Sequence, residues 1–245
     1  MFTLNHFIWL FISLAVILTV VILNIKLNLS FKFNLNILFI VSLLSEIVKT
    51  LVCMKLEVPN KDGVVGTYLN PGDLPFHLCS MQVFFVIALK FFIKKESTKN
   101  VLLSFMFPTM LIGGTLSMLI PTVGVSFTNP QVYQYFLFHA YIVGFAIYLI
   151  SKKIITIETK TLFRNLGILF GIMFIGIWIN SMLSDKAVNF LYLSRPPMDN
   201  LPLLNLDHGW YVYFFTLIGI AVILMTLLHL PFIIVNDHKK KTIKQ

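Results

Sequence analysis

The chain has 245 residues, of which 58% are hydrophobic and 12% charged, with 24 phenylalanines and a formal net charge of +9. Apolar stretches far longer than a soluble core helix requires exclude an ordinary soluble domain, and two cysteines imply no disulfide framework. The composition is that of a polytopic membrane protein, so the basicity must be explained by where the charges sit.

A spanning helix takes about 20 mostly apolar residues. Seven are predicted in chain order, over roughly 7–25, 35–53, 75–93, 101–120, 132–150, 162–183 and 209–235. The expected fold class is therefore all-α: an integral membrane bundle of about seven transmembrane helices, forming one polytopic domain over 1–245. The first span lacks the basic n-region and small-residue cleavage site of a signal peptide, and Lys26 and Lys32 follow it, so it is expected to stay as an anchor.

The cations alternate by connection. The first, third and fifth connections hold Lys26, Lys32, Lys90, Lys94, Lys95, Lys99, Lys152, Lys153, Lys160 and Arg164, and the tail adds Lys239, Lys240, Lys241 and Lys244. The other connections hold Lys55, Lys61, Lys186 and Arg195, so the division is fourteen against four. That asymmetry predicts an outside N-terminus, seven spans and a cytoplasmic C-terminus. The charge is topogenic, with some affinity for anionic lipid heads, and no nucleic-acid partner is expected.

With this orientation the polar residues gather near the outer ends of the spans. Ser42, Glu46, Lys49 and Cys53 share one face of the second span. His77 and Cys79 open the third, Tyr135 and His139 lie in the first turns of the fifth, Asn180 and Ser181 close the sixth, and Asp207 and His208 precede the seventh. All fall within roughly 10 Å of the outer boundary. Intramembrane ionisable groups are functional candidates by default, although Glu46 and Lys49 also read as a structural ion pair and His139 as a satisfied buried histidine. The inner half reads as small-residue packing through Gly113, Gly114 and Ser117, or Gly167, Gly171 and Gly176, while His6 and His229 are assigned only to the interface.

Helix direction adds to this. The third, fifth and seventh spans start at the outer face, where their positive dipole ends favour anions and thiolates. Asp73 with Pro75 reads as cap and first turn of the third span. Arg195, in the outer loop before the seventh, offers bidentate donors to a phosphate or carboxylate. Trp210, Tyr211 and Tyr213 read as interface-belt aromatics.

His77 and Cys79 would project about 160° apart in a regular helix and could not touch. Either the segment is unwound at its start, or the base for Cys79 comes from another span, with His139 and His208 the candidates. Two plainer roles for Cys79 remain: packing, and a disulfide with Cys53.

The motifs P-x-H-L-C-S at 75–80, His139 in FLFHAY, NFLYL before the outer loop and HGWYVYF at the seventh span resemble the YwaF-like bacterial integral membrane proteins over most of the chain. That family is similar to a eukaryotic seven-span group described as phospholipid acyltransferases that use a cysteine thioester. The eukaryotic motif places its cysteine immediately before the histidine, where this chain has Phe76, and Cys79 follows three positions later. Positions 76 and 79 lie about 60° apart on a helix, so a thiol at either serves one pocket. His77 matches directly. The resemblance implies a multi-pass protein of the bacterial plasma membrane.

The leading expectation is an acyltransferase or transacylase acting at the outer leaflet on lipids or lipid-modified proteins, without a cofactor. Cys79 would take the acyl group, His77 or His139 would be the general base, and Asp207 or Glu46 would orient the histidine. His208 is a further catalytic candidate, while Lys49, Arg195, Asn180 and Tyr135 would bind substrate. One alternative is a zinc-dependent lipid hydrolase with His77, His139 and His208 as ligands and Glu46 or Asp207 activating water. The other is a transporter of a small solute or ion. The absence of an inverted repeat, and of polar groups continuing to the cytoplasmic side, argues against it.

Overall fold

The computed structural model describes residues 2–57, 66–186, 188–198 and 201–242. Lys61 and Lys244, counted in the charge asymmetry, lie outside them. The architecture is all-α. Helices α1 (Leu4–Lys26), α2 (Phe31–Cys53), α4 (Glu96–Leu119), α5 (Pro130–Ser151), α6 (Thr159–Met182) and α7 (Trp210–Thr242) contain six apolar spans long enough to cross a membrane, that of α7 ending at Asn236. A short antiparallel hairpin, β1 (Lys55–Glu57) and β2 (Gly66–Tyr68), pairs Lys55 with Tyr68 and lies in the connection after α2.

The helix starts are written in side chains. Thr3 accepts from the His6 N–H at 3.4 Å, Ser30 from the Phe33 N–H at 3.2 Å, and Asn129 from the Gln131 N–H at 3.0 Å with Pro130 at the first helical position. Each relieves a backbone donor that helix geometry leaves unpaired.

The third predicted span departs from expectation. It is helical only in α3 (Gln82–Ile87) and one following π-helical turn, Ala88–Phe92. Asp73 does not cap it: Asp73 closes a 3₁₀ turn, Pro71–Asp73, whose cap is the Asn70 side chain at 2.9 Å from the Gly72 N–H. Leu74 sits extended at ψ 151°, as the residue before a proline does, and the turns that replace the helix lie beyond Pro75. The chain then descends from Leu74 to Met81 as successive turns, and α3 begins at Met81 without a side-chain cap. A six-residue helix with an unwound approach offers little macrodipole to the thiol.

Helix α5 is the hub. It buries Val132, Phe136, Ala140 and Val143 against α1, and Phe138, Ile142, Phe145 and Leu149 in a core shared with α2, α3 and α4. Trp9 of α1 stacks between Phe127 and Phe136 at 5.0 and 5.1 Å. Close approach needs small residues here: a Cβ on Gly144 would stand 2.9 Å from Val20 Cβ, and one on Gly114 would stand 2.7 Å from Val143 Cγ2. Gly167 and Gly171 have nothing within 4 Å of that position, so they do not form the packing face read from the sequence. A third core joins α4, α6 and α7 through Phe105, Leu169, Met173 and Met225.

His6 and His229 are both fully buried inside the bundle. The His6 ring reaches Met118 O at 2.9 Å and ties α1 to α4. His229 belongs to a polar layer that the inner half was not expected to hold. Pro108 cannot donate to Ser104 O, four residues back, and Asn165 Nδ2 of α6 donates to that carbonyl instead, at 2.7 Å. The same amide lies 3.1 Å from His229 Nε2, while His229 Nδ1 meets Met225 O at 2.7 Å. Arg164 Nη2 adds a bond to Ser104 Oγ at 2.9 Å.

Candidate functional site

The ends of α2, α4 and α6 and the starts of α3, α5 and α7 gather at one end of the bundle, around a cavity of about 450 Å³. Its rim carries Lys49, His77, Cys79, Ser80, Tyr135 and His139. Its depth is apolar, lined by Leu169 and Met173 of α6 and by Leu217, Ile220, Leu224 and Met225 of α7. From Leu217 to Met225 the wall descends about 12 Å at 1.5 Å per residue.

The unwound stretch 74–81 delivers the chemistry. His77 O accepts from the Met81 N–H at 2.8 Å and Cys79 O from the Gln82 N–H at 3.3 Å, so the turns present His77 and Cys79 to one cavity although a regular helix would have separated them. Cys79 Sγ lies 3.9 Å from Ser117 Oγ and against the bare Cα of Gly113, where a Cβ would stand 3.1 Å from the sulfur. Cys53 and Cys79 are not disulfide-bonded: Cys53 accepts from Gln131 Nε2 at 3.3 Å.

His139 is held by its own helix. Its Nδ1 lies 2.6 Å from Tyr135 O, a geometry that requires Nδ1 to donate and leaves Nε2 as the acceptor. The Tyr135 ring packs on the imidazole at 4.4 Å, and its hydroxyl donates to Ser117 O at 3.0 Å. Lys49 Nζ pairs with Glu46 Oε2 at 2.7 Å and donates to Ser80 Oγ at 3.3 Å. Glu46 therefore holds Lys49, not a histidine, and the orienting acceptor for His139 is the Tyr135 carbonyl.

His77 is positioned by the loop between α6 and α7. Its ring lies 5.6 Å from that of Phe190 and 5.1 Å from that of Tyr192. Asn180, expected to bind substrate, instead spends its amide on the loop: Nδ2 donates to Phe190 O at 3.0 Å and Oδ1 accepts from the Phe190 N–H at 2.9 Å. Trp210 Nε1 donates to Leu193 O at 2.9 Å and the Tyr213 hydroxyl donates to Tyr192 O, so two residues read as belt aromatics are loop anchors. These bonds hold Leu191 and Tyr192 at φ 57° and 55°, a strained region for non-glycine residues.

Asp207, His208 and Arg195 are exposed and are not among the cavity-lining residues. The three histidines placed at one depth by sequence thus resolve into two at the cavity and one outside it. Among the described residues, no group of three His, Cys, Asp or Glu side chains is placed to hold a metal ion. Sequence reasoning missed Ser80, Ser117 and Tyr192; NFLYL drew notice as a motif, but nothing in it announced that its tyrosine would face His77.

A bundle of apolar helices long enough to cross a membrane, with a cavity at one end, defines a polytopic membrane protein. The chain belongs to the TMEM164 family, whose model matches residues 1–229. No curated protein and no solved structure matches it.

Proposed function

We propose that this TMEM164 family protein is a membrane acyltransferase or transacylase that carries an acyl group on Cys79. The observation that supports this reading is the cavity itself: a thiol and two imidazoles stand at the polar rim of an apolar chamber, with a lysine beside them. That order, anion site, reactive carbonyl, hydrocarbon, is the order of groups in an acylated lipid. The motif resemblance to the YwaF-like proteins, and through them to thioester-forming acyltransferases, adds independent support.

In the first half-reaction His139 Nε2, or the ring of His77, takes the Cys79 proton as sulfur attacks the ester carbonyl of a donor lipid. The ester C–O bond breaks, the proton passes to the departing alkoxide and the thioester remains. In the second, the same imidazole takes the proton of an acceptor hydroxyl as its oxygen attacks the thioester carbonyl, the C–S bond breaks, and the imidazolium returns the proton to the Cys79 thiolate, leaving the new ester and the free thiol. Lys49, fixed by Glu46 and Ser80, holds an anionic headgroup. No soluble acyl donor is needed.

The charge asymmetry favours placing this cavity at the outer face, because the ends of the helices away from it carry most of the cations. The alternatives are less well supported. A zinc hydrolase would need His208 at the cavity, and the buried layer of Ser104, Asn165 and His229, though polar, is separated from the rim by the apolar chamber.

The test is the adduct. Wild-type protein reconstituted with phosphatidylcholine should gain a hydroxylamine-labile acyl mass on Cys79, and Cys79→Ala should lose both adduct and transfer, the latter by about 10³-fold or more. Full transfer activity in Cys79→Ala with no adduct on the wild-type thiol would overturn covalent catalysis.

A further inference from the structure

The floor of the chamber has a construction that its role in substrate binding does not require. Pro108 of α4, Leu169 of α6 and Met225 of α7 line the cavity at its deep end. One helical turn beyond each, on the same faces, stand Ser104, Asn165 and His229, all at 0% exposure and joined by the bonds through Asn165 Nδ2. The spacing of four residues on all three helices makes this a polar layer about 5–6 Å below an apolar floor.

We propose that this floor and the layer beneath it form a length stop for one hydrocarbon chain. The inference deepens the acyl-transfer reading, and rests on it for the identity of the chain as an acyl group. A methyl end pressing against Met225 and Leu169 meets side chains that can yield. To go further it would have to part Asn165 from the Ser104 carbonyl and from His229, leaving buried polar groups facing hydrocarbon. Asn165 Oδ1 and Arg164 Nε already lack partners, so losing the two bonds of Asn165 Nδ2 would add to polar groups that are buried unpaired. Cost rises abruptly at one depth, as a length selector requires.

Met173, on the wall one turn above Leu169, is the position at which the chamber can be shortened, and Met225 is that at which it can be deepened. Discrimination of about tenfold per methylene is within what an apolar pocket supports.

The experiment uses the full chain in nanodiscs of mixed phosphatidylcholines whose acyl chains run from lauroyl to stearoyl, with the Cys79 adduct read by intact-protein mass. Met225→Ala should shift the adduct toward longer chains, and Met173→Trp toward shorter ones, each changing the long-to-short ratio by about tenfold. Asn165→Leu should broaden the distribution on the long side. The same three changes in a Cys79→Ala background, probed with photoreactive fatty acids of the same lengths, report chain fit without the thioester. An adduct whose chain distribution is the same in all variants overturns the length stop while leaving acyl transfer standing. No adduct, with length-dependent photolabelling that follows the floor variants, overturns the thioester and keeps the stop.

Discussion

Asn180 shows how much one amide can hold. Both of its polar atoms close on the Phe190 backbone, and Phe190 in turn packs on Phe76 and His77. Asn180→Ala would leave a buried N–H and C=O without partners, at a cost of about 1–3 kcal/mol. It should lower the melting temperature in detergent and reduce acyl transfer without removing a group that touches substrate. Asn180→Asp offers no donor to Phe190 O and is expected to fall short of wild type as well, so a wild-type melting temperature in either variant would show that the bonds do not hold the loop. The sequence placed this asparagine at the end of the sixth span, and α6 does end close by, at Met182. Its role was illegible, because Phe190 lies ten residues on, across a loop whose path depends on Trp210 and Tyr213. Glu46 and Lys49 were easier to read, since an i,i+3 pair on one helix face is local geometry.

At the scale of elements, α5 sets the tolerance of the fold. Gly144 lets α1 approach until Val20 Cβ would meet a new Cβ at 2.9 Å, a clash between rigid branched groups. Gly144→Val should cost about 1–3 kcal/mol by overpacking. The readout is loss of the α1–α5 contact, seen as reduced yield of a disulfide engineered between those helices, and unchanged yield would refute the steric argument. Helix existence was readable here because apolar length is a strong signal, and six spans match it. The third was misjudged because hydropathy counts Phe76 and Leu78 as span, whereas the backbone there runs as turns and becomes helical only at Gln82. That error removed the objection to His77 and Cys79 sharing a site: the 160° separation applies only to a helix, and the segment is not one.

For the whole molecule, the proposed orientation makes an accessibility prediction. In a variant lacking both native cysteines, Thr128→Cys in the exposed connection between α4 and α5 should react with a membrane-impermeant maleimide in intact cells. Lys153→Cys, exposed between α5 and α6, should react only after permeabilisation. The reverse pattern would place the cavity at the cytoplasmic face. Charge counting reads orientation from connections, which is why the sequence could address it. The polar layer escaped the same reading: Ser104 and Arg164 resemble ordinary helix-end residues, and their partnership requires α4, α6 and α7 to be assembled.

Pro108 carries that assembly into time. As α4 emerges during synthesis, the proline leaves the Ser104 carbonyl open inside an otherwise closed ladder, and the amide that satisfies it is carried by Asn165, in a helix made two spans later. Until α6 arrives, the fourth helix is a half-finished object in hydrocarbon, one that favours delay near water or protein over settling into lipid. The third partner, His229, comes later still. The chamber can therefore close only when the last span is in place, and a chain interrupted before α7 would lack its far wall and the Met225 side of its floor.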